Sequence, residues 1–257
     1  MDLGALTLPP EITALTLAAI AGVYLLAGLV KGATGFGLPV VSVTLLPFFV
    51  PIDMALALNA IVITATNLQQ IRQAGEVRAG LGAAWPMMLG MAIMVPIGAQ
   101  FTVGISATSL MIILGTFVLL FVISSFLNPS LKIPSNWHQR TGFGMGLLSG
   151  VVGAITSAPG PIFVSYVHAL HLPRPIYMAA LGFIMLLFGF VLALSFIFVG
   201  LLRWEHVLPG LLGIPPAIFG MWLGNGWGKR LPVETFRKVV LALLGVLAVM
   251  IIRRAIG

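Results

Sequence analysis

No cysteine occurs in the 257 residues, and only six are acidic against thirteen basic. The missing cysteines remove disulfides, thiolate metal sites and cysteine nucleophiles together. Charged residues make up 7% of the chain and hydrophobic ones 60%. A water-soluble chain of this length has no interior large enough to hide so much apolar surface, which excludes an ordinary soluble domain. The formal net charge of +7 is spread as single residues or close pairs between apolar runs, such as Arg72/Arg78, Lys229/Arg230 and Arg237/Lys238. That is the pattern of short cytoplasmic loops between membrane spans, so nucleic acid is rejected as a partner. There is also no G-x-x-x-x-G-K-[ST] phosphate cradle, since Leu38-Pro39 follows Gly37, and no nucleotide hydrolysis is expected. The start Met1-Asp2-Leu3-Gly4 has no basic n-region and no glycine at position two, so the first apolar run is kept as structure.

What is present is a series of apolar runs near the roughly 20 residues needed to cross a bilayer as a helix. The expected class is all-α: a polytopic transmembrane protein of 8–10 helical segments, in which two inverted repeats each carry a broken or re-entrant hairpin plus three spanning helices. The first repeat is expected over residues 1–127. Its hairpin limbs are Ile12 to Val30 and Leu38 to Val50, followed by spans at Asp53–Ile71, Ala79–Phe101 and Ser106–Leu127. A polar stretch, 128–140, with Pro129, Lys132 and Pro134, reads as a surface loop. The second repeat, 141–257, has limbs Thr141–Ala154 and Pro161–Leu170, then spans Pro175–Leu202, His206–Trp227 and Pro232–Ile252.

The repeat is visible residue by residue. A shift of 122 positions places Gly22, Leu25, Leu26, Gly28, Val30, Thr34, Pro39, Pro51 and Ala57 on identical residues. The shift also superposes two interruptions, Lys31-Gly32-Ala33-Thr34-Gly35-Phe36-Gly37-Leu38-Pro39 and Ile155-Thr156-Ser157-Ala158-Pro159-Gly160-Pro161. Paired breaks in two halves of a membrane protein point to a central transport site. Loop charges favour inverted halves with the N-terminus outside. That arrangement puts Arg72, Arg78, Lys132, Arg140, Arg174, Lys229, Arg230, Arg237 and Lys238 inside, with Arg203, Arg253 and Arg254 outside.

Inverted hairpins would bring the two turns together near the midplane. Pro39 and Pro161 would then open the returning limbs, whose free first-turn amides favour an anion. Packing is the competing explanation for Gly28-x-x-x-Gly32 and Gly142-x-x-x-Gly146-x-x-x-Gly150. Lys31 marks function if it lies within the membrane, or an interfacial turn if its side chain snorkels out. Asn59, Thr66, Asn67 and Gln70 share one helical face, either as glue between helices or as a polar wall beside the hairpin. His168, His171 and Arg174 fall at a cytoplasmic mouth; an i, i+3 histidine pair without an acidic neighbour is not read as a metal site. No Asp or Glu lies well inside a span. This suits an exit route driven by substrate charge, worth about 2.3 kcal/mol per 100 mV for a monoanion. Coupling through water, backbone carbonyls or histidine is a further option.

With Gly28-Leu29-Val30-Lys31-Gly32-Ala33-Thr34-Gly35-Phe36-Gly37, Pro51 and a polar third helix, the chain resembles the sulfite exporter TauE/SafE family. Gly146-Leu147-Leu148-Ser149-Gly150-Val151-Val152-Gly153 is similar to that family's second repeat. The resemblance implies a multi-pass transporter of sulfite, sulfonates, sulfoacetate or related organic anions, in the cell (inner) membrane. Some relatives carry a Gly-rich run where this chain has Thr156-Ser157-Ala158-Pro159-Gly160-Pro161.

The expected substrate-binding residues are Lys31, Thr34, Gly35, Gly37, Asn59, Asn67, Thr156, Ser157 and Gly160, acting by alternating exposure of a central site. The expected partners are a small anionic substrate and the lipid bilayer, with a homodimer allowed for and no cofactor. A passive anion channel competes with the carrier. An intramembrane enzyme is disfavoured, because the acids and bases it would need are missing and Leu147-Leu148-Ser149-Gly150 departs from a Gly-x-Ser-Gly nucleophile motif.

Overall fold

The computed structural model describes residues 12–127, 133–227 and 233–257. Within them the chain forms α1 (Ala14–Thr34), α2 (Leu38–Leu45), α3 (Ile52–Ala74), α4 (Val77–Gly104), α5 (Ala107–Leu127), α6 (His138–Thr156), α7 (Gly160–Ala169), α8 (Arg174–Phe198), α9 (Trp204–Trp227) and α10 (Val233–Ile256). Seven of these are long and apolar enough to cross a membrane. The others are the limbs α2, α6 and α7. Helix is the required answer for such a composition, because in hydrocarbon each backbone group must find its partner within the protein. The charges expected at Lys132, Lys229 and Arg230 and the start of the surface loop, Asn128 to Lys132, lie outside the described residues.

Several boundaries differ by a few residues from those the sequence suggests, and two of them bear on the hairpins. Helix α1 does not break at Lys31-Gly32 but continues to Thr34. Gly32 is there for close packing: a Cβ on it would strike the Met221 carbonyl of α9. The helix stops one residue after Thr34, where Gly35 turns left-handed (φ 85°) and its N–H closes on the Lys31 carbonyl at 2.7 Å, a conformation open to glycine at little cost. Helix α6 starts at His138, three residues inside the expected loop, where Tyr166 of α7 holds the His138 ring through a 3.1 Å hydroxyl–Nδ1 hydrogen bond.

Helix directions follow from which residues meet. Tyr24 and Val62 both face Gly213, and Lys31 meets Asn67, so residue numbers rise together along α1 and α3. Gly28 and Gly32 meet Ala217 and Met221 in the same order along α9. Since α1 and α3 run the same way, α2 must carry the chain back between them. In a second set, drawn from both halves, Gly146 meets Met87, Ala154 meets Gly98, Ala179 meets Gly80 and Met88 lies by Leu187, so α4, α6 and α8 run together. The two sets oppose one another, because Gly182 faces Ile71 whereas Gly189 faces Ile63. These are two inverted five-helix halves. Each long hairpin limb packs on the penultimate helix of the opposite half, α1 on α9 and α6 on α4. At the centre α3 crosses α8, and 67% of the α3 span is buried.

Candidate functional site

The two hairpin turns are built alike. Thr34 and its repeat mate Thr156 each end a long limb. Their hydroxyls reach the carbonyls of Val30 (2.9 Å) and Val152 (2.7 Å), and accept the amides of Phe36 (3.4 Å) and Ala158 (3.2 Å). The next residue in each turn is left-handed, Gly35 at φ 85° and Ser157 at φ 52°. A serine pays roughly 1 kcal/mol for that conformation, and its surroundings hold it there. Its carbonyl accepts Asn59 Nδ2 at 3.2 Å and its hydroxyl approaches the Leu56 carbonyl at 3.4 Å.

Asn59 of α3 therefore touches both hairpins. Its amide nitrogen donates to the Ser157 turn, while its Oδ1 accepts the Ser42 hydroxyl of α2 at 2.6 Å. All three side chains are fully buried. Asn59→Ala leaves the Ser42 hydroxyl and the Ser157 carbonyl without this partner. Inter-helical polar bonds in membranes are worth about 0.6–2 kcal/mol. The variant is expected to lower the unfolding free energy in micelles by about 1–2 kcal/mol, and Asn59→Gln to recover little of it, since the extra methylene displaces both ends.

The turns sit at different levels of α3. Ser157 is anchored at Leu56 and Asn59, whereas Lys31, just before the first turn, is anchored at Thr66 and Asn67. Asn59 and Asn67 are about 12 Å apart at 1.5 Å per residue. The returning limbs approach each other at their starts, where a Cβ on Gly160 would meet the Val40 side chain, and a cavity of about 310 Å³ lined by both opens there. The first hairpin contributes Thr34, Phe36, Gly37 and Val40, the second Pro161, Ser165 and His168; Ser124 and Ser125 of α5, Tyr177 of α8 and Leu244 of α10 complete it. Its rim is exposed at Ser124, Ser165 and His168. The wall combines valine, leucine and phenylalanine with neutral hydroxyls. The first-turn amides of α2, beyond Gly37 (φ 99°), have no intrahelical acceptor and carry the positive end of the helix dipole.

Of the nine residues expected at the site, Thr34 and Gly37 line this cavity. Gly35 packs on the Met178 side chain and Gly160 on Val40, while Asn59, Thr156 and Ser157 form the turn network below. Lys31 and Asn67 form a separate buried pair: Nζ donates to Asn67 Oδ1 at 2.6 Å and to Thr66 Oγ1 at 3.3 Å. Gln70, one turn further on, donates to the Met178 carbonyl at 3.1 Å. No motif or period singles out Ser42, Ser124, Ser125, Ser165 or Tyr177 in the sequence. The one signal available was hydroxyls in spans otherwise made of large apolar residues.

Two inverted halves, paired turns and a cavity lined by both hairpins are parts suited to a membrane transporter. The family model described as sulfite exporter TauE/SafE matches residues 20–251. Neither the curated proteins nor the solved structures contain a match. The matched stretch runs from within α1 to within α10 and takes in both hairpins, and on that extent the chain belongs to the TauE/SafE family of membrane transporters.

Proposed function

We propose that this multi-pass membrane protein exports a small anion bearing a short organic or sulfur-containing body, sulfite or a sulfonate such as sulfoacetate being the leading candidates, across the cell (inner) membrane. The two repeats, 1–127 and 141–257, would move against each other to expose the site alternately. The observation that carries this reading is the cavity shared by both hairpins. Its Ser125 and Tyr177 hydroxyls and the helix-end amides suit an anion's oxygens, and its valine and leucine wall suits a small carbon skeleton. Among the described residues no carboxylate lines it to repel a negative solute.

The test is flux into liposomes containing the purified protein, with sulfite, sulfoacetate and acetate compared. Saturable, trans-stimulated uptake supports a carrier, and no movement of any of these anions would overturn the proposal. Thr34→Val keeps the side chain's shape and removes its hydroxyl. It takes away the oxygen that holds the Phe36 amide and ties the turn to the Val30 carbonyl, and by loosening this wall of the cavity is expected to lower anion flux about tenfold, the equivalent of about 1.4 kcal/mol. Ser124→Ala, at the exposed rim, is expected to change flux less than twofold.

A further inference from the structure

Lys31 is 3% exposed, and among the described residues no carboxylate lies within ion-pair distance of it. Its two partners are set as acceptors by their own bonds. The Thr66 hydroxyl donates to the Val62 carbonyl at 2.8 Å, and Asn67 Nδ2 donates to the Ile63 carbonyl at 2.7 Å. What remains for Lys31 is a hydroxyl lone pair and an amide oxygen. These accept from a neutral amine as well as from an ammonium.

The described charged groups on the elements packed against α1 lie elsewhere. On α3, Asp53 is in the first turn and Arg72 is exposed; on α9, Glu205 and His206 pair with each other near its start. On α10, Lys238, Arg253 and Arg254 are exposed, and α2 carries no titratable side chain. Tyr24 lies two turns earlier on α1 itself, and Tyr177 and His168 face the cavity. An ammonium in this position meets only neutral dipoles, which compensate a buried charge poorly. An anion in the cavity changes that balance. Val30 and Thr34, flanking Lys31 on the helix, both line the cavity, and Thr34 lies one turn on along the adjoining face. Lys31 is not itself among the lining residues, so loading requires its four-carbon stem to swing the nitrogen from Asn67 toward the wall beside Thr34.

We infer that Lys31 is a proton-binding site coupled to the anion site, so that each monoanion crosses the membrane together with one proton. The inference rests on the anion-transport reading above. On loading, the amine takes a proton from water as the anion enters, R–NH₂ + H⁺ + A⁻ giving R–NH₃⁺ beside A⁻. On release, the same proton returns to water on the other side and the amine settles back on Asn67 and Thr66. No bond of the anion is made or broken. By linkage, anion binding and protonation strengthen each other by the same factor. The cycle carries no net charge, so its direction is set by the anion gradient and the pH difference together and not by the membrane potential.

The test uses the intact protein in liposomes with potassium and valinomycin clamping the potential at zero. The probe is radiolabelled methanesulfonate, a strong-acid anion that carries no proton of its own, and trapped pyranine reads proton movement. One unit of pH difference, alkaline inside, is expected to drive about tenfold accumulation of the anion, with one proton entering per anion. Setting the pH equal and imposing a potential should produce no accumulation. In Lys31→Gln and in Lys31→Arg, which is permanently charged, proton entry should disappear and residual anion flux should ignore pH. Wild-type accumulation that follows the potential without proton entry would overturn the coupling while leaving anion transport standing. Absence of any methanesulfonate, sulfite or sulfoacetate movement would overturn both. Proton coupling retained in Lys31→Gln would remove the lysine from the mechanism.

Discussion

Gly28→Leu should abolish a folded, monodisperse protein, whereas Gly22→Leu, six residues away on the same helix, should leave it intact. A side chain at Gly28 would collide with the Ala217 carbonyl, and one at Gly220 with the Leu25 carbonyl; nothing lies within 4 Å of a Cβ at Gly22. The obstacle is the facing helix backbone, which has no rotamer into which to retreat. Over-packing against movable side chains costs about 1–3 kcal/mol, and here the whole interface from Leu25 to Gly224 must separate. That forfeits more than about 3 kcal/mol and the dispersion contacts that hold helices together in lipid. Gly22→Leu adds helix propensity of about 0.5–1 kcal/mol and no clash. Size-exclusion profiles of fluorescent fusions distinguish the two outcomes, and a normal profile for Gly28→Leu would show that α1 does not lie on α9 at this spacing.

A second large effect runs against the usual direction of mutation. Lys31→Met should raise the stability of the protein in micelles by about 1–2 kcal/mol while removing pH-driven transport. The native fold holds an amine out of water without an ion-pair partner among the described residues, and replacing such a group by an apolar side chain of similar volume commonly stabilises by about 1–4 kcal/mol. Part of that gain is offset because Asn67 Oδ1 loses its donor, a cost of about 0.6–2 kcal/mol. Asn67→Leu added to Lys31→Met removes the orphaned oxygen and should increase the gain further. Stability bought at the expense of activity identifies a residue retained for work and not for folding. A fall in melting temperature for Lys31→Met would instead make the lysine a structural clasp between α1 and α3.

Most of the architecture was legible because it rests on local or periodic signals. Span lengths, the 122-residue repeat and the proline-started returning limbs each place an element without knowledge of its neighbours. The shared face of Asn59, Thr66, Asn67 and Gln70 was also legible, and all four are buried. Their partners were not. Asn59 bridges to Ser157, 98 residues on, and Gln70 to Met178, 108 residues on. Such pairings depend on how two helices are rotated, which hydropathy does not record. The depth of Lys31 was unreadable for the same reason: a glycine next to it marks a chain break or a close helix contact equally well, and only the position of Met221 decides between them. The cavity was the least legible feature, because its walls come from α5, α8 and α10 as well as from the hairpins, and single serines in apolar helices carry no period.

The exchange of long limbs between halves bears on how the chain is made. The surface of α1 that carries Gly28 and Gly32 is complementary to α9, which is synthesised only after α2 to α8. Throughout insertion of α2 to α8 that groove-like face stands against lipid, unmatched. By contrast α6 finds α4 already in place. Assembly therefore cannot finish half by half: α1 is made well before the helix that seats it, and the packing of its glycine face waits for α9.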